Sequence, residues 1–186
     1  MCTRLALIAL AVMLSACQSP SVNRDFDPSR DFASYRTWSW KEPGLQYRPD
    51  DPRINSDLTE SRIRQAVSEQ LEQRGLRQAT NGTKADVNVQ TYLIVDTRQQ
   101  QLSTQYAGGW GGYWGGYWGA PMLSETRNVE YKVATVQIDL LDGRDGKLVW
   151  RGSSEKLVND TVSAPGERDA AIRKTVAEVL QAYPPH

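Results

Sequence analysis

Residues 87–95 read VNVQTYLIV and residues 129–141 read VEYKVATVQIDLL, and these two stretches decide the fold. In the first, apolar side chains recur at odd positions from Val87 to Val95, which is the period of a half-buried β-strand. The second also alternates, but its apolar positions shift from 129, 131 and 133 to 136, 138 and 140. Because one extra residue turns every later side chain to the other face, we predict a β-bulge near Ala134.

Two further strands flank this pair. Aromatic and β-compatible residues over 32–40 predict a first strand, and the prolines and glycine within 41–53 predict a loop after it. The pairs Asp-Gly at 142–143 and 145–146 predict a turn after the second stretch. Residues 148–155 then predict the return strand of a hairpin.

Two amphipathic helices complete the pattern. Asp57 and Glu60 have the spacing of a capping box, and Gly75 stands where a helix C-terminus is expected. The apolar stripe of this helix comprises Leu58, Ile63, Val67 and Leu71. A second helix is predicted over 167–183, stopped by two prolines.

The order β-α-β-β-β-α predicts an α+β fold. We expect a largely antiparallel four-stranded sheet with two helices on one face, forming a single domain over 31–186. Trp38, Trp40 and Trp150 lie on predicted strands, and we expect their large rings in the core.

The N-terminus has the features of a bacterial lipoprotein signal. An uncharged apolar run follows Arg4 and ends in Leu-Ser-Ala-Cys at 14–17, which resembles a lipobox. We therefore predict a signal peptide over 1–16, lipidation of Cys17, and a polar tether over 17–30. Gln18 stands where inner-membrane lipoproteins commonly carry Asp, which favours the outer membrane, with the inner membrane and the cell surface as alternatives.

Composition excludes several classes of function. The 22 basic and 22 acidic side chains become a net charge of −1 once Arg4 is removed, which does not indicate a nucleic-acid partner. The mature chain would keep no free thiol, and its one histidine, His186, is the last residue. A zinc site of several His and Cys ligands is thereby excluded, and we predict no metal, no cofactor and no enzymatic activity.

Carboxylates offer the remaining catalytic alternative. Asp50 and Asp51 could form an acid/base pair, although adjacent loop residues more often face water. Asp139, Asp142 and Asp145 recur every three residues, but they lack the ligand spacing of a calcium loop. Turn formation is the better explanation for this spacing.

Several segments together resemble the bacterial lipoproteins of domain-of-unknown-function family 4136. The similar residues are DFD at 25–27, the aromatic positions of 31–40, ADV at 85–87, TVQID at 135–139 and GKLVWRG at 146–152. The resemblance implies an envelope location and a small α+β fold, and it transfers no catalytic residue.

The candidate interaction site is a glycine-rich loop over 107–121. Its rings belong to Trp110, Tyr113, Trp114, Tyr117 and Trp118. Such rings could lie at lipid headgroups, stack on cell-wall glycan or pack on a partner protein. The alternative is an insert that folds over its own sheet. The function predicted is a non-enzymatic envelope lipoprotein that binds or supports other components. The alternatives are a glycan-binding module and a hydrolase that uses carboxylates alone.

Overall fold

The fold is described from a computed structural model, which covers residues 22–80, 83–107, 122–158 and 164–185. Over these residues the chain forms six strands and two α-helices. The strands are β1 (Val22–Phe26), β2 (Thr37–Arg48), β3 (Arg77–Gln78), β4 (Val87–Ala107), β5 (Met122–Asp142) and β6 (Leu148–Leu157). The helices are α1 (Asp57–Gln73) and α2 (Pro165–Leu180), with a 3₁₀ turn at Phe32–Ser34.

All six strands belong to one mixed sheet in the order β1-β6-β5-β4-β2-β3. The pairs β1–β6, β6–β5 and β5–β4 are antiparallel, whereas β2 runs parallel to both β3 and β4. The predicted α+β class is confirmed, but the four-strand count is wrong. It missed β1, whose central side chains are all polar and exposed, and β3, whose two residues are too few to show an alternating pattern.

Strand β1 lies inside the segment predicted to be a tether, so the tether over 17–30 is too long. The sequence VNRDF reads as polar linker because its three central side chains are exposed at the sheet edge. Its backbone nevertheless pairs with β6 from Val22–Ser154 to Phe26–Trp150. The sheet therefore already includes Val22–Phe26, and the folded domain is not limited to residues from 31 onward.

Strand β2 begins and ends later than predicted. The Asp31 side chain accepts a hydrogen bond from Ala33 N (3.0 Å), which caps the 3₁₀ turn and keeps this segment out of the sheet. The predicted loop over 41–53 is strand as far as Arg48. A register shift between Trp40 and Leu45 accommodates Pro43 and Gly44, in agreement with the preference of proline for bulges.

Strands β4 and β5 pair without interruption. Val87 pairs with Asp142 at one end and Ala107 with Met122 at the other, with no register shift between them. The bulge predicted near Ala134 is therefore wrong. The change in the apolar positions of β5 instead reflects a change in which face of the sheet is apolar.

The two helices cover one face of the sheet, as predicted. One buried cluster joins α1 (Ile63, Ala66, Val67, Leu71) and α2 (Val176, Val179, Leu180) to the sheet side chains Trp38, Val87, Val89, Val136, Ile138, Leu140 and Trp150. Trp38 and Trp150 are fully buried, and Trp40 is partly buried beside Trp38 with ring centroids 5.4 Å apart. The core positions predicted for Trp38 and Trp150 are thus confirmed, whereas Trp40 packs against the core from its margin.

Helix α1 begins one residue earlier than its predicted cap. Ser56 is the N-cap, because its hydroxyl accepts a hydrogen bond from Thr59 N. Leu58 is 67% exposed and does not belong to the apolar stripe. Gly75 has a φ of +89°, the left-handed conformation that glycine adopts at a helix C-terminus, as predicted.

We expect the substitution Trp150→Ala to lower the free energy of unfolding by about 3–5 kcal/mol, because it leaves a large cavity in the core. The ring packs edge-on against Tyr183, with centroids 5.5 Å apart. Chemical denaturation of the domain measures the change. Leu157→Ala on the same strand is the control, since that side chain is 66% exposed. Equal stability of the two variants would contradict the core assignment.

Candidate functional site

The hairpin of β4 and β5 extends far beyond the rest of the sheet. Strand β2 stops pairing at Ile94 and β6 stops at Val133, so within the described ranges residues 96–107 and 122–132 pair with each other, apart from one hydrogen bond from Val158 N to Lys132 O (2.9 Å). We call this two-stranded extension the ribbon. At the ordinary rise of a strand its twelve residues on β4 span about 40 Å.

Side chains of the ribbon are described over 96–104 and 126–132. All of them are exposed except Tyr131, which is partly buried. This part of the hairpin therefore has no core of its own. An isolated two-stranded ribbon of this kind is only marginally stable in water.

The ribbon is amphipathic across its two faces. Directly paired residues share a face, so Leu102 lies with Arg127, Val129 with Gln100, and Tyr131 with Arg98. The other face carries only polar side chains over the described positions, namely Thr97, Gln99, Gln101, Ser103, Thr126, Asn128, Glu130 and Lys132.

We define Leu102, Val129 and Tyr131 as the apolar face of the ribbon. This face lies on the side of the sheet opposite the helices, because the helix-facing positions are odd in β4 and even in β5. Leu102 is 46% exposed and Val129 is 38% exposed. The apolar face thus explains the shift of apolar positions along β5.

An ion pair marks the base of this face. Arg98 of β4 contacts Glu155 of β6 at 2.8 Å, reaching across β5. On β5, Arg98 pairs with Tyr131 and Glu155 pairs with Thr135. Val133 lies between these two β5 residues on the same face and is only 4% exposed. The ion pair therefore links β4 to β6 across β5 at the point where the ribbon begins.

The predicted site residues lie outside the described part of the chain. These are Cys17 and the five aromatic residues Trp110, Tyr113, Trp114, Tyr117 and Trp118. Because β4 ends at Ala107 and β5 begins at Met122, the intervening glycine-aromatic segment joins the two strands at the free end of the ribbon. Sequence reasoning missed the apolar face itself, although the shift of apolar positions in β5 was its signal.

A polar cluster at the opposite end of the sheet is structural. The Arg30 guanidinium contacts Asp27 (3.2 Å), Asp142 (3.2 Å) and Asp145 (2.7 Å). The Tyr35 hydroxyl donates to Asp142 at 2.9 Å. The cluster ties the segment after β1 to the turn between β5 and β6.

Asp139, Asp142 and Asp145, which are spaced three residues apart, all take part in hydrogen bonds or ion pairs within the domain. Asp142 and Asp145 accept backbone hydrogen bonds from Arg144 (2.7 Å) and Lys147 (3.0 Å), which confirms that they form the turn. Asp139 lies on β5 and pairs with Arg151 of β6 at 2.6 Å. Over the described ranges, no group of three or more acidic, His or Cys side chains is placed to hold a metal ion.

A shallow groove of about 730 Å³ lies between the end of β2 and the start of α1. Its lining includes Asp50, which accepts a hydrogen bond from Asn55 at 3.0 Å. Asp51 pairs with Arg53, and this hydrogen bond lowers the pKa of Asp51 to about 2. Asp51 is thus ionised at neutral pH and is a poor proton donor for hydrolysis.

Together the sheet, the helices and the ribbon define an α+β domain with one projecting hairpin. The model of the family described as "Domain of unknown function (DUF4136)" matches residues 22–185, and the chain belongs to this family. The resemblance seen in the sequence is therefore confirmed. We found no significant match among curated proteins.

Two solved structures share the fold. A DUF4136 family protein from Bacteroides thetaiotaomicron is 18% identical with a TM-score of 0.52, and the match covers 90% of this chain and 97% of that one. A PDZ domain protein from Parabacteroides distasonis is 16% identical with a TM-score of 0.56. That match covers 90% of this chain but 36% of the longer protein. At these identities the similarity shows the fold alone.

The helices within the described ranges are too short or too polar to cross a membrane.

The carboxylate cluster predicts acid sensitivity. Burial alone would raise the pKa of Asp142, but hydrogen bonds from Arg144 N and Tyr35 and the charge of Arg144 lower it below its usual value. The pKa of Asp86 is also lowered, chiefly by a hydrogen bond from Arg36 N. A lowered folded-state pKa stabilises the fold above the unfolded value, near about pH 4, and this stability is lost as the pH falls through the folded value.

We therefore expect Asp142→Asn to lower the free energy of unfolding at pH 7 by about 1–3 kcal/mol, because a fully buried acceptor loses its charge. The variant should also lose less stability than the native protein between pH 5 and pH 2, which are test conditions bracketing the usual pKa of about 4. Denaturation curves across this range measure both effects. Asp96→Asn on the exposed ribbon is the control. Identical pH profiles for Asp142→Asn and the native protein would contradict the assignment.

Proposed function

We propose that this protein is a non-enzymatic envelope lipoprotein that is anchored by Cys17 and binds through the ribbon. The observation that carries the proposal is the ribbon itself. It projects beyond the core, exposes its described side chains other than Tyr131, and is joined at its end by the glycine-aromatic segment. A binding role accounts for a structure that contributes nothing to the domain core.

The position of β1 supports a short link to the membrane. With β1 beginning at Val22, only residues 18–21 separate it from Cys17. Fully extended, the five steps between Cys17 and Val22 span about 17 Å. A lipid on Cys17 would therefore hold the domain against the bilayer.

The carboxylates of the domain support a non-enzymatic role. Asp27, Asp142 and Asp145 share Arg30, Asp139 is held by Arg151, and the predicted pair at 50–51 is held by its neighbours. A carboxylate-based hydrolase would need a protonated acid facing an ionised base across a substrate cleft. These contacts favour a stabilising role for the aspartates.

For location we propose the periplasmic face of the outer membrane, on the basis of Gln18 after the lipidated cysteine. The partners proposed are the membrane, through the lipid, and an envelope protein or the cell-wall polymer. The glycan-binding alternative uses the same aromatic segment and differs only in its ligand. Photocrosslinking from position 114 in intact cells distinguishes a protein neighbour from a glycan neighbour.

The anchor gives a direct prediction. Cys17→Ala should leave the protein unprocessed or soluble in the periplasm, since stable anchoring requires more than one acyl chain. Fractionation of cells with a high-salt wash measures this. The control is Cys2→Ala, because Cys2 is removed with the signal peptide and its loss should change nothing. Membrane association of Cys17→Ala after the wash would contradict the lipobox assignment, and wild-type protein in the inner-membrane fraction of a density gradient would contradict the proposed location.

The aromatic segment gives a second prediction. Replacing Trp110, Trp114 and Trp118 together by Ser should change the free energy of unfolding by less than about 1 kcal/mol, as surface substitutions do. The soluble domain should nevertheless bind vesicles or envelope components less well. Thermal melts and binding assays measure the two effects. A large loss of stability would show that the segment packs on the sheet, and unchanged binding would remove it as an interaction site.

A further inference from the structure

We infer that the apolar face of the ribbon lies on the surface of the same membrane that holds the lipid anchor. This inference rests on the proposed lipidation of Cys17 and adds a second, independent contact with the bilayer. It follows from where the N-terminus leaves the sheet, how far the chain before it can reach, and which face of the ribbon is apolar.

The anchor and the ribbon leave the sheet at the same end. Val22 pairs with Ser154, Ser154 with Val136, and Val136 with Leu93, so these four residues lie side by side across the sheet. Strand β1 is antiparallel to β6, and its N-terminus therefore points toward the end of the sheet from which the ribbon projects. Val22, the first described residue, therefore lies at the end of β1 that faces the base of the ribbon.

The reach of the anchor is much shorter than the ribbon. Measured from Leu93, which is level with Val22, strand β4 continues for fourteen residues to Ala107, about 45 Å at the ordinary rise of a strand. The link from Cys17 to Val22 spans about 17 Å at most. The distance from Val22 to a bilayer that faces this end of the sheet is therefore shorter than the length of the ribbon.

The opposite end of the domain is out of reach of the anchor. From Leu93 back to Val87 the sheet extends about 20 Å further, and the link would have to run back along its whole length. The bilayer therefore lies either alongside the ribbon or in front of its free end, where the ribbon would meet it end-on. A ribbon that met the bilayer end-on would leave the unpaired backbone groups of its two open edges in hydrocarbon, which is strongly unfavourable. We therefore place the ribbon alongside the membrane surface.

The two faces of the ribbon decide its orientation. Leu102, Val129 and Tyr131 share one face with the polar side chains of Asp96, Arg98, Gln100, Thr104 and Arg127, whereas the other face has no apolar side chain among its described positions. On an interface between water and lipid, the apolar face turns to the lipid and the polar face to water. Arg127 lies on the apolar face opposite Leu102, and its long side chain can keep its charge among lipid headgroups while its stem remains in apolar surroundings.

A further exposed apolar side chain lies on the same face at the base of the ribbon. Leu157 pairs with Val133 and extends the apolar face across the base of the ribbon onto β6. At 66% exposure Leu157 is available to the same surface. A second copy of the chain is the alternative occupant of this face, and nitroxide-labelled lipid distinguishes it from membrane contact.

The test uses the full lipidated protein in vesicles of phosphatidylethanolamine and phosphatidylglycerol. Single cysteines carry a polarity-sensitive fluorophore at Leu102→Cys or Val129→Cys on the apolar face. The matched controls are Gln101→Cys and Asn128→Cys, which are adjacent positions on the polar face. Each label is unique, because Cys2 is removed with the predicted signal peptide and Cys17 is acylated. Vesicles with and without nitroxide-labelled acyl chains report contact with lipid.

We expect labels at positions 102 and 129 to shift to shorter emission wavelength and to lose fluorescence with nitroxide lipid, whereas labels at 101 and 128 do neither. Flotation of the same vesicles checks the anchor separately. If the protein floats but the two faces are quenched alike, the ribbon inference is wrong and the anchor stands. A shift at 102 and 129 that grows with protein density and is insensitive to nitroxide lipid would assign the face to a second copy. Failure to float would overturn the anchor and this inference with it.

Discussion

The uninterrupted pairing of β4 with β5 is the constraint on which the rest of the structure depends. With no register shift along 21 residues of each strand, the face of every side chain is determined by its number alone. Near Val87 and Asp142 the helix-facing positions are apolar, and the helices cover them. Beyond Asp96 the helices are absent, and the apolar positions of β5 lie on the other face. One ladder of hydrogen bonds therefore extends from a buried environment into an exposed one.

The N-terminal edge of the sheet is held by charge as well as by pairing. Asp142 has no exposed side-chain surface, and burying a carboxylate is costly unless it is paired and hydrogen-bonded. Arg30, Tyr35 and the Arg144 amide supply those partners. The same guanidinium reaches Asp27, which follows β1, so the position of β1 is linked to the turn between β5 and β6. The direction in which the N-terminus leaves the domain is thereby defined relative to the ribbon.

Sequence patterns predicted the parts of the fold in which burial follows a regular period. Strand β4, the hairpin before β6, both helices and the buried Trp38 and Trp150 were recognisable in this way. Strand β1 was missed because an edge strand with solvent on its polar side chains has no alternation. The continuation of β2 past Pro43 depends on tertiary hydrogen bonds, in which Gln90 and Thr91 donate to the carbonyl oxygens of Pro43 and Gly44. No local pattern contains that information. The apolar face of the ribbon was visible in the sequence as the shift of apolar positions along β5 from odd to even. A bulge would explain the same shift, and only the register of β4 with β5 distinguishes the two explanations.

The antiparallel pairing of β1 with β6 also determines how the domain bears a mechanical load applied at its N-terminus. A pull along the axis of β1 through Val22 stretches the hydrogen bonds of all five paired positions together, because the force acts along the strand and does not open the ladder from one end. Behind those bonds, Arg30 links the segment after β1 to Asp142 and Asp145 in the turn between β5 and β6. Short as it is, β1 is arranged as a shear joint, which resists force far better than a strand of the same length that is peeled from the sheet one residue at a time.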